Sequence, residues 1–197
     1  MNLLERVKNI LITPKTEWEV INGETATPSS LFMSYVLPLA VVSSLGSVIR
    51  YFMYAGGYAG WGIKYMIIGA VITLISTLIA FYLTAMIVDK LAPNFGSEKN
   101  MGKSAQLVAY SGTPSYVAGL LAFIPIIGWL ISIAAWVYGV YLMYLGIGPL
   151  KKTPEDKKIV YILVSYVIMI AIYFVIAAIL GGILYATMGS GLGYSGY

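Results

Sequence analysis

The chain has 197 residues, 59% of them hydrophobic and 10% charged, with a mean hydropathy of +0.85 and a formal charge of +4. Soluble domains are about one quarter charged, so this composition belongs to an integral membrane protein. Cysteine and histidine are both absent, which removes disulfides, thiolate chemistry, imidazole metal ligands and any triad with a histidine base.

Leu3, Leu4, Val7, Ile10 and Leu11 recur at helical spacing among Glu5, Arg6, Lys8 and Asn9, which predicts a short amphipathic helix lying on the membrane surface. Residues 1–12 lack the pattern of a signal peptide, so the N-terminus is expected to be mature. Thr16 followed by Glu19 reads as a capping box that opens a second small helix, and Trp18 suits a headgroup region. Thr27-Pro28 opens the first long apolar run, with proline at the first helical position, where its missing N–H does no harm.

Each of the first two runs, about 31–54 and 65–88, exceeds the roughly 30 Å hydrocarbon core at about 1.5 Å per residue. Between them lies Ala55 to Gly62, whose glycines break helix and whose aromatics favour an interface. After the polar loop Pro93 to Lys103, the stretch Ala105 to Gly148 holds both a polar break, Ala109-Tyr110-Ser111-Gly112-Thr113-Pro114, and a turn around Pro125. It reads either as two spans, about 105–124 and 126–147, or as a re-entrant hairpin; the length of the arms favours two spans. Lys151 to Lys158 is a solvated turn with Thr153 as N-cap and Pro154 first in the helix. The last span covers about 159–187, and 188–197 form a flexible tail.

Arg6, Lys8 and Lys15 precede the first run, Lys90, Lys99 and Lys103 follow the second, and Lys151, Lys152, Lys157 and Lys158 precede the last, against Arg50 and Lys64 in the other loop. This asymmetry predicts a cytoplasmic N-terminus and an external C-terminus. The expected fold is all-α: a cytoplasmic amphipathic segment at 1–30 and a polytopic bundle of five transmembrane helices at 31–187.

Thr-Pro occurs at Thr13, Thr27, Thr113 and Thr153, and the third lies inside an apolar run. A helix restart there frees backbone groups that Ser111, Thr113, Ser115 or a neighbouring helix must satisfy. It also makes Tyr110, Ser111, Gly112, Thr113, Pro114 and Tyr116 the candidate ligand or pathway residues, with a locally satisfied proline kink as the plain alternative. Tyr138, Tyr141 and Tyr144 share one helical face; Tyr138 and Tyr141 join the candidates, although a structural role is favoured. Ala135/Gly139, Ala177/Gly181 and Ala178/Gly182 have the spacing for close helix packing within the chain. Glu17, Trp18 and Glu19 are the partner or membrane-surface candidates. All eight acids lie in cytoplasmic segments or at their edge, which weighs against a proton- or cation-coupled carrier. No metal site, catalytic group or cofactor is expected.

Pro14-Lys15-x-Glu17-Trp18, Tyr35-Val36-Leu37-Pro38-Leu39, Ala109-Tyr110-Ser111-x-Thr113-Pro114, Ile124-Pro125-x-x-Gly128 and Tyr141-Leu142-x-Tyr144-x-Gly146 follow one another along the chain, and in this order they resemble the prokaryotic branch of the Yip family, the Ypt/Rab-interacting membrane proteins. The resemblance implies five spans with the N-terminus inside. Eukaryotic relatives bind Rab-class GTPases, but this chain lacks their long N-terminal region and their Asp-Leu-Tyr-Gly-Pro motif, so Rab binding is not carried over. The expected function is a non-enzymatic protein of a prokaryotic inner membrane that organises lipids or partner proteins, including further copies or related membrane proteins, without nucleic acid. The alternative is a channel or facilitator with its pathway at the broken third helix, the transporter label that some prokaryotic members carry. A lipid-acting enzyme is disfavoured by the missing histidine.

Overall fold

The computed structural model describes residues 2–54, 59–121 and 123–189. Half of the expected glycine-aromatic linker (55–58) and the tail beyond Gly189 lie outside the described residues. The elements run α1 (Leu3–Ile12), α2 (Pro14–Gly23), α3 (Pro28–Leu31), a π-helical turn (Phe32–Val36), α4 (Leu37–Tyr54), α5 (Ala59–Leu91), a 3-10 turn (Ala92–Phe95), α6 (Met101–Ser111), α7 (Thr113–Gly119), α8 (Ile127–Lys151) and α9 (Glu155–Gly189). Among the described residues, four helical stretches are long and apolar enough to cross a membrane, Pro28–Gly46, Leu74–Phe95, Ile127–Lys151 and Glu155–Ile179. The third expected span, 105–124, is interrupted at Gly112 into α6 and α7, with irregular chain from 120.

The helix starts follow local chemistry, with shifts. Thr27 caps α3 through a reciprocal capping box with Ser30, and Pro28 stands at the first position. Helix α2 opens at Pro14 rather than at a Thr16 cap, and the Thr16 hydroxyl donates to the Thr13 carbonyl instead. The expected Thr153 cap is also replaced: its hydroxyl donates to the Ile147 carbonyl near the end of α8 and accepts from Ser97. The π turn precedes Pro38, whose ring crowds the carbonyl four residues back, and it turns Tyr35 and Val36 into the core.

The segment 101–119 and α8 form an antiparallel hairpin. Lys151 Nζ reaches the Asn100 carbonyl, Leu107 lies beside Gly146, and the Ser111 carbonyl abuts Gly139, so the two arms stay in register along their length. The hairpin closes on a γ-turn in which Ile126 takes φ 61° and the Ile127 N–H bonds the Pro125 carbonyl at 2.6 Å. Positive φ is strained for a β-branched residue.

Apart from Leu4, which is exposed, the apolar stripe of α1 faces the bundle. Ile10 is fully buried, Leu3, Val7 and Leu11 pack against the core, and α1 lies on α2 and α7. The cover of this stripe is thus protein where lipid was expected. Trp18 likewise is covered by protein rather than facing headgroups: it is 1% exposed and edge-on to Tyr110. It fills a notch at Gly146, where a Cβ would come within 2.6 Å of the indole. Helix α7 crosses α4 closely at Gly46 and Gly119, whose added Cβ atoms would strike the Gly119 carbonyl and the Ser43 hydroxyl. Gly139 packs inward as expected, but Gly181 and Gly182 face open space, so the small-residue pairs of α9 do not pack within the chain.

Replacing Gly146 by leucine should lower stability by about 1–3 kcal/mol through overpacking against Trp18 and Leu107. Thermal unfolding of the purified variant in detergent should show a lower midpoint, with the loss relieved by the companion change Trp18→Ala.

Candidate functional site

Pro114 has no N–H to offer the carbonyl four residues back, which is that of Tyr110. The Thr113 hydroxyl takes over this role and donates to the Tyr110 carbonyl at 2.7 Å. Having spent its one proton, that hydroxyl can only accept from the Tyr35 hydroxyl, 2.7 Å away on the π turn. The break is thus closed by a short relay, Tyr35 to Thr113 to Tyr110, inside the core.

Gly112 keeps helical dihedrals, φ −74° and ψ −12°, so the angular register carries through the break. Tyr110, Thr113 and Pro114 share one face and are buried in packing. Val108, Ser111, Gly112, Ser115 and Tyr116, at i, i+3, i+4, i+7 and i+8, share the other, and that face lines a cavity of about 280 Å³. The opposite walls come from Thr77, Ala80, Phe81 and Thr84 on α5, Trp136, Gly139 and Met143 on α8, and Tyr166 and Met169 on α9. A second, almost wholly apolar cavity of about 370 Å³ continues from it between α5, α8 and α9, sharing Ala80, Thr84, Trp136, Tyr166 and Met169. Trp136 and Tyr166 meet edge-on at the junction, ring centroids 5.8 Å apart. Ser111 is buried, and its hydroxyl has no hydrogen-bond partner.

Behind this wall lies a polar cap that the sequence reading missed. Arg6 is buried and bonds Glu17 at 2.5 Å and also Glu24, with its guanidinium 5.3 Å from the Tyr110 ring centre. From α6, Lys103 donates to the carbonyls of Asn22 (2.6 Å) and Glu24 (2.9 Å), and Gln106 to those of Ile21 and Glu24. These carbonyls close the end of α2, where a cation is favoured. Burial pulls the Lys103 ammonium below its ordinary pKa, while the Glu24 charge opposes that shift. At the ends of α5 and α8, Lys151 places its ammonium on Asp89 (3.0 Å), Ser104 (2.7 Å) and the Asn100 carbonyl (3.3 Å).

The expected site residues therefore separate. Ser111, Gly112 and Tyr116 line the cavity; Tyr110, Thr113 and Pro114 are spent on the break. Tyr138 bonds the Leu11 carbonyl at the end of α1, and Tyr141 packs against Tyr138 while staying exposed. Glu17 and Trp18 are buried in the cap, so of the three surface candidates only Glu19 is exposed. A signal for the cap existed: Arg6 stands four residues before Ile10 and Glu17 four before Ile21, so each charge sits on a buried stripe. Among the described residues no cluster of acidic side chains could hold a metal ion.

The family model of the Yip1 domain matches residues 8–179. No curated protein and no solved structure matches the chain.

Thr113→Val strands both the Tyr110 carbonyl and the Tyr35 hydroxyl, and should cost about 1–3 kcal/mol. Tyr35→Phe alone should cost less. The double variant should be less destabilised than the sum of the two, as read from a double-mutant cycle of unfolding in detergent.

Proposed function

Because the chain belongs to the Yip family, we propose that this multi-pass membrane protein is a non-enzymatic organiser of membrane lipids or partner proteins in the inner membrane of a prokaryote. It crosses five times, with residues 1–30 forming a cytoplasmic cap, 31–187 the membrane domain and the C-terminus outside. Its partners are membrane lipids and further copies of itself or related membrane proteins. Rab-type GTPases are left out for want of their motif.

The observation that carries this reading is the placement of charge. Every ion pair among the described residues lies at one end of the bundle, with α1, α2 and the chain around 98 and 152. The cavity between the helices is lined by no acidic or basic side chain. Coupled carriers place ionisable groups at membrane depth, whereas an uncharged interior beside a pair-locked cap suits a scaffold. The facilitator reading draws on the hydroxyl-bearing residues of the smaller cavity, Ser111, Ser115, Thr77 and Thr84.

The two readings part in a flux assay. Liposomes holding the purified protein should stay tight to protons, potassium and small neutral solutes, and a defined solute flux above that of empty liposomes would overturn the organiser reading in favour of the facilitator.

The crossing number is open to cysteine labelling, because the chain has no cysteine of its own. Ile126 sits exposed at the hairpin turn, so Ile126→Cys should react with an impermeant maleimide from outside the cell. Glu19→Cys should react only after permeabilisation. Protection of Ile126→Cys from both sides would make residues 101–151 a re-entrant hairpin instead.

A further inference from the structure

We propose that the joined cavity between α5, α8 and α9 binds one chain of an ester-linked membrane lipid, with the Ser111 hydroxyl donating to its ester carbonyl. The proposal rests on the reading of this protein as a lipid organiser and names the lipid chemistry it selects.

Three observations lead there. The larger limb is almost wholly apolar, about 370 Å³, and bounded by Leu83, Ile87, Ile170, Ile172 and Ile176, a size and lining that fit a hydrocarbon ligand. It extends along α9 from Tyr166 to Ile176, about 15 Å at 1.5 Å per residue, so a chain would lie along the helices as lipid chains do. The smaller limb supplies the polar contact. Ser111 is buried there with an unpartnered hydroxyl, and a buried hydroxyl without a partner costs free energy that a ligand acceptor recovers.

The lining selects a neutral acceptor: neither limb carries a charged side chain, and the unpartnered hydroxyl stands beside apolar walls. An acyl lipid carries such an acceptor, its ester carbonyl, at the head of each hydrocarbon chain. Gly139 completes the polar limb: a Cβ there would come within 2.9 Å of the Ser111 carbonyl, so glycine holds the two walls close.

The test compares a diacyl phosphatidylglycerol with its dialkyl-ether analogue of equal chain length, each added to the delipidated full-length protein in mild detergent and followed by native mass spectrometry. A free fatty acid of the same length forms a third arm and separates a two-chain lipid from a single released chain. The protein should retain the ester lipid about threefold to tenfold better than the ether lipid, the span of one hydrogen bond. Ser111→Ala should remove that preference while leaving the melting midpoint near that of the parent. Ala80→Phe, which fills the junction of the limbs, should reduce retention of both lipids. Equal retention of ester and ether lipids, or an unchanged preference in Ser111→Ala, overturns the proposal, as does preferential retention of the fatty acid. Any of these leaves the organiser reading to stand or fall on the flux assay.

Discussion

A guanidinium taken out of water must find its counter-charges where it is buried, and Arg6 finds Glu17 and Glu24 on the next helix and its flank. Such a pair adds little net stability, since desolvation offsets most of the attraction, but breaking it leaves a charge stranded at about 3–5 kcal/mol. Its effect is therefore one of registry. Any other docking of α1 and α2 would strand Arg6, Glu17 or both. The same logic holds across the cap, where Lys151 meets Asp89 and Ser104, and Lys103 meets the end of α2. Apolar packing alone would tolerate several ways of seating two amphipathic helices on an apolar bundle. The buried charges reduce them to one.

The break in the third apolar segment follows from a different constraint. Within a membrane every freed backbone group needs a partner inside the protein, and Pro114 frees the Tyr110 carbonyl. Thr113 supplies the partner, and Tyr35 fixes the orientation of Thr113. Because Gly112 stays helical, the segment is interrupted without losing its facing. One side remains available to the cavity and the other to the core.

The long apolar runs were legible because hydropathy reports on surroundings, and α5 and α9 extend only a few residues beyond their expected bounds. Thr27-Pro28 was legible because capping is local chemistry. The docking of α1 was not: an amphipathic stripe states that a helix buries one face, and lipid or protein can cover it equally well. The presence of Arg6 on that stripe argued for protein, since an unpaired guanidinium does not sit against hydrocarbon. Trp18 was misplaced for a similar reason, as its partner Gly146 lies on α8, far along the chain, and glycine leaves no pattern of its own. The cavity was illegible because α8 and α9 are apolar on all sides, so periodicity cannot tell a wall that touches lipid from one that lines a void.

What the fold adds to the sequence reading is a division of labour within one short stretch. Tyr110, Ser111, Gly112, Thr113, Pro114 and Tyr116 first stood together as one candidate site. Helical geometry divides them: residues 110, 113 and 114 hold the break and touch the cap, while 111, 112 and 116 face the cavity. The division also explains why the two serine and threonine hydroxyls of the stretch differ. Thr113 points where a proline has left a carbonyl in need, and its hydrogen bonds are filled from within. Ser111, two residues earlier on the opposite face, has no such carbonyl to answer. An unfilled hydroxyl beside an apolar cavity costs free energy, a cost it shares with Trp18 Nε1, Gln106 Oε1 and Ser165 Oγ elsewhere in the packed interior.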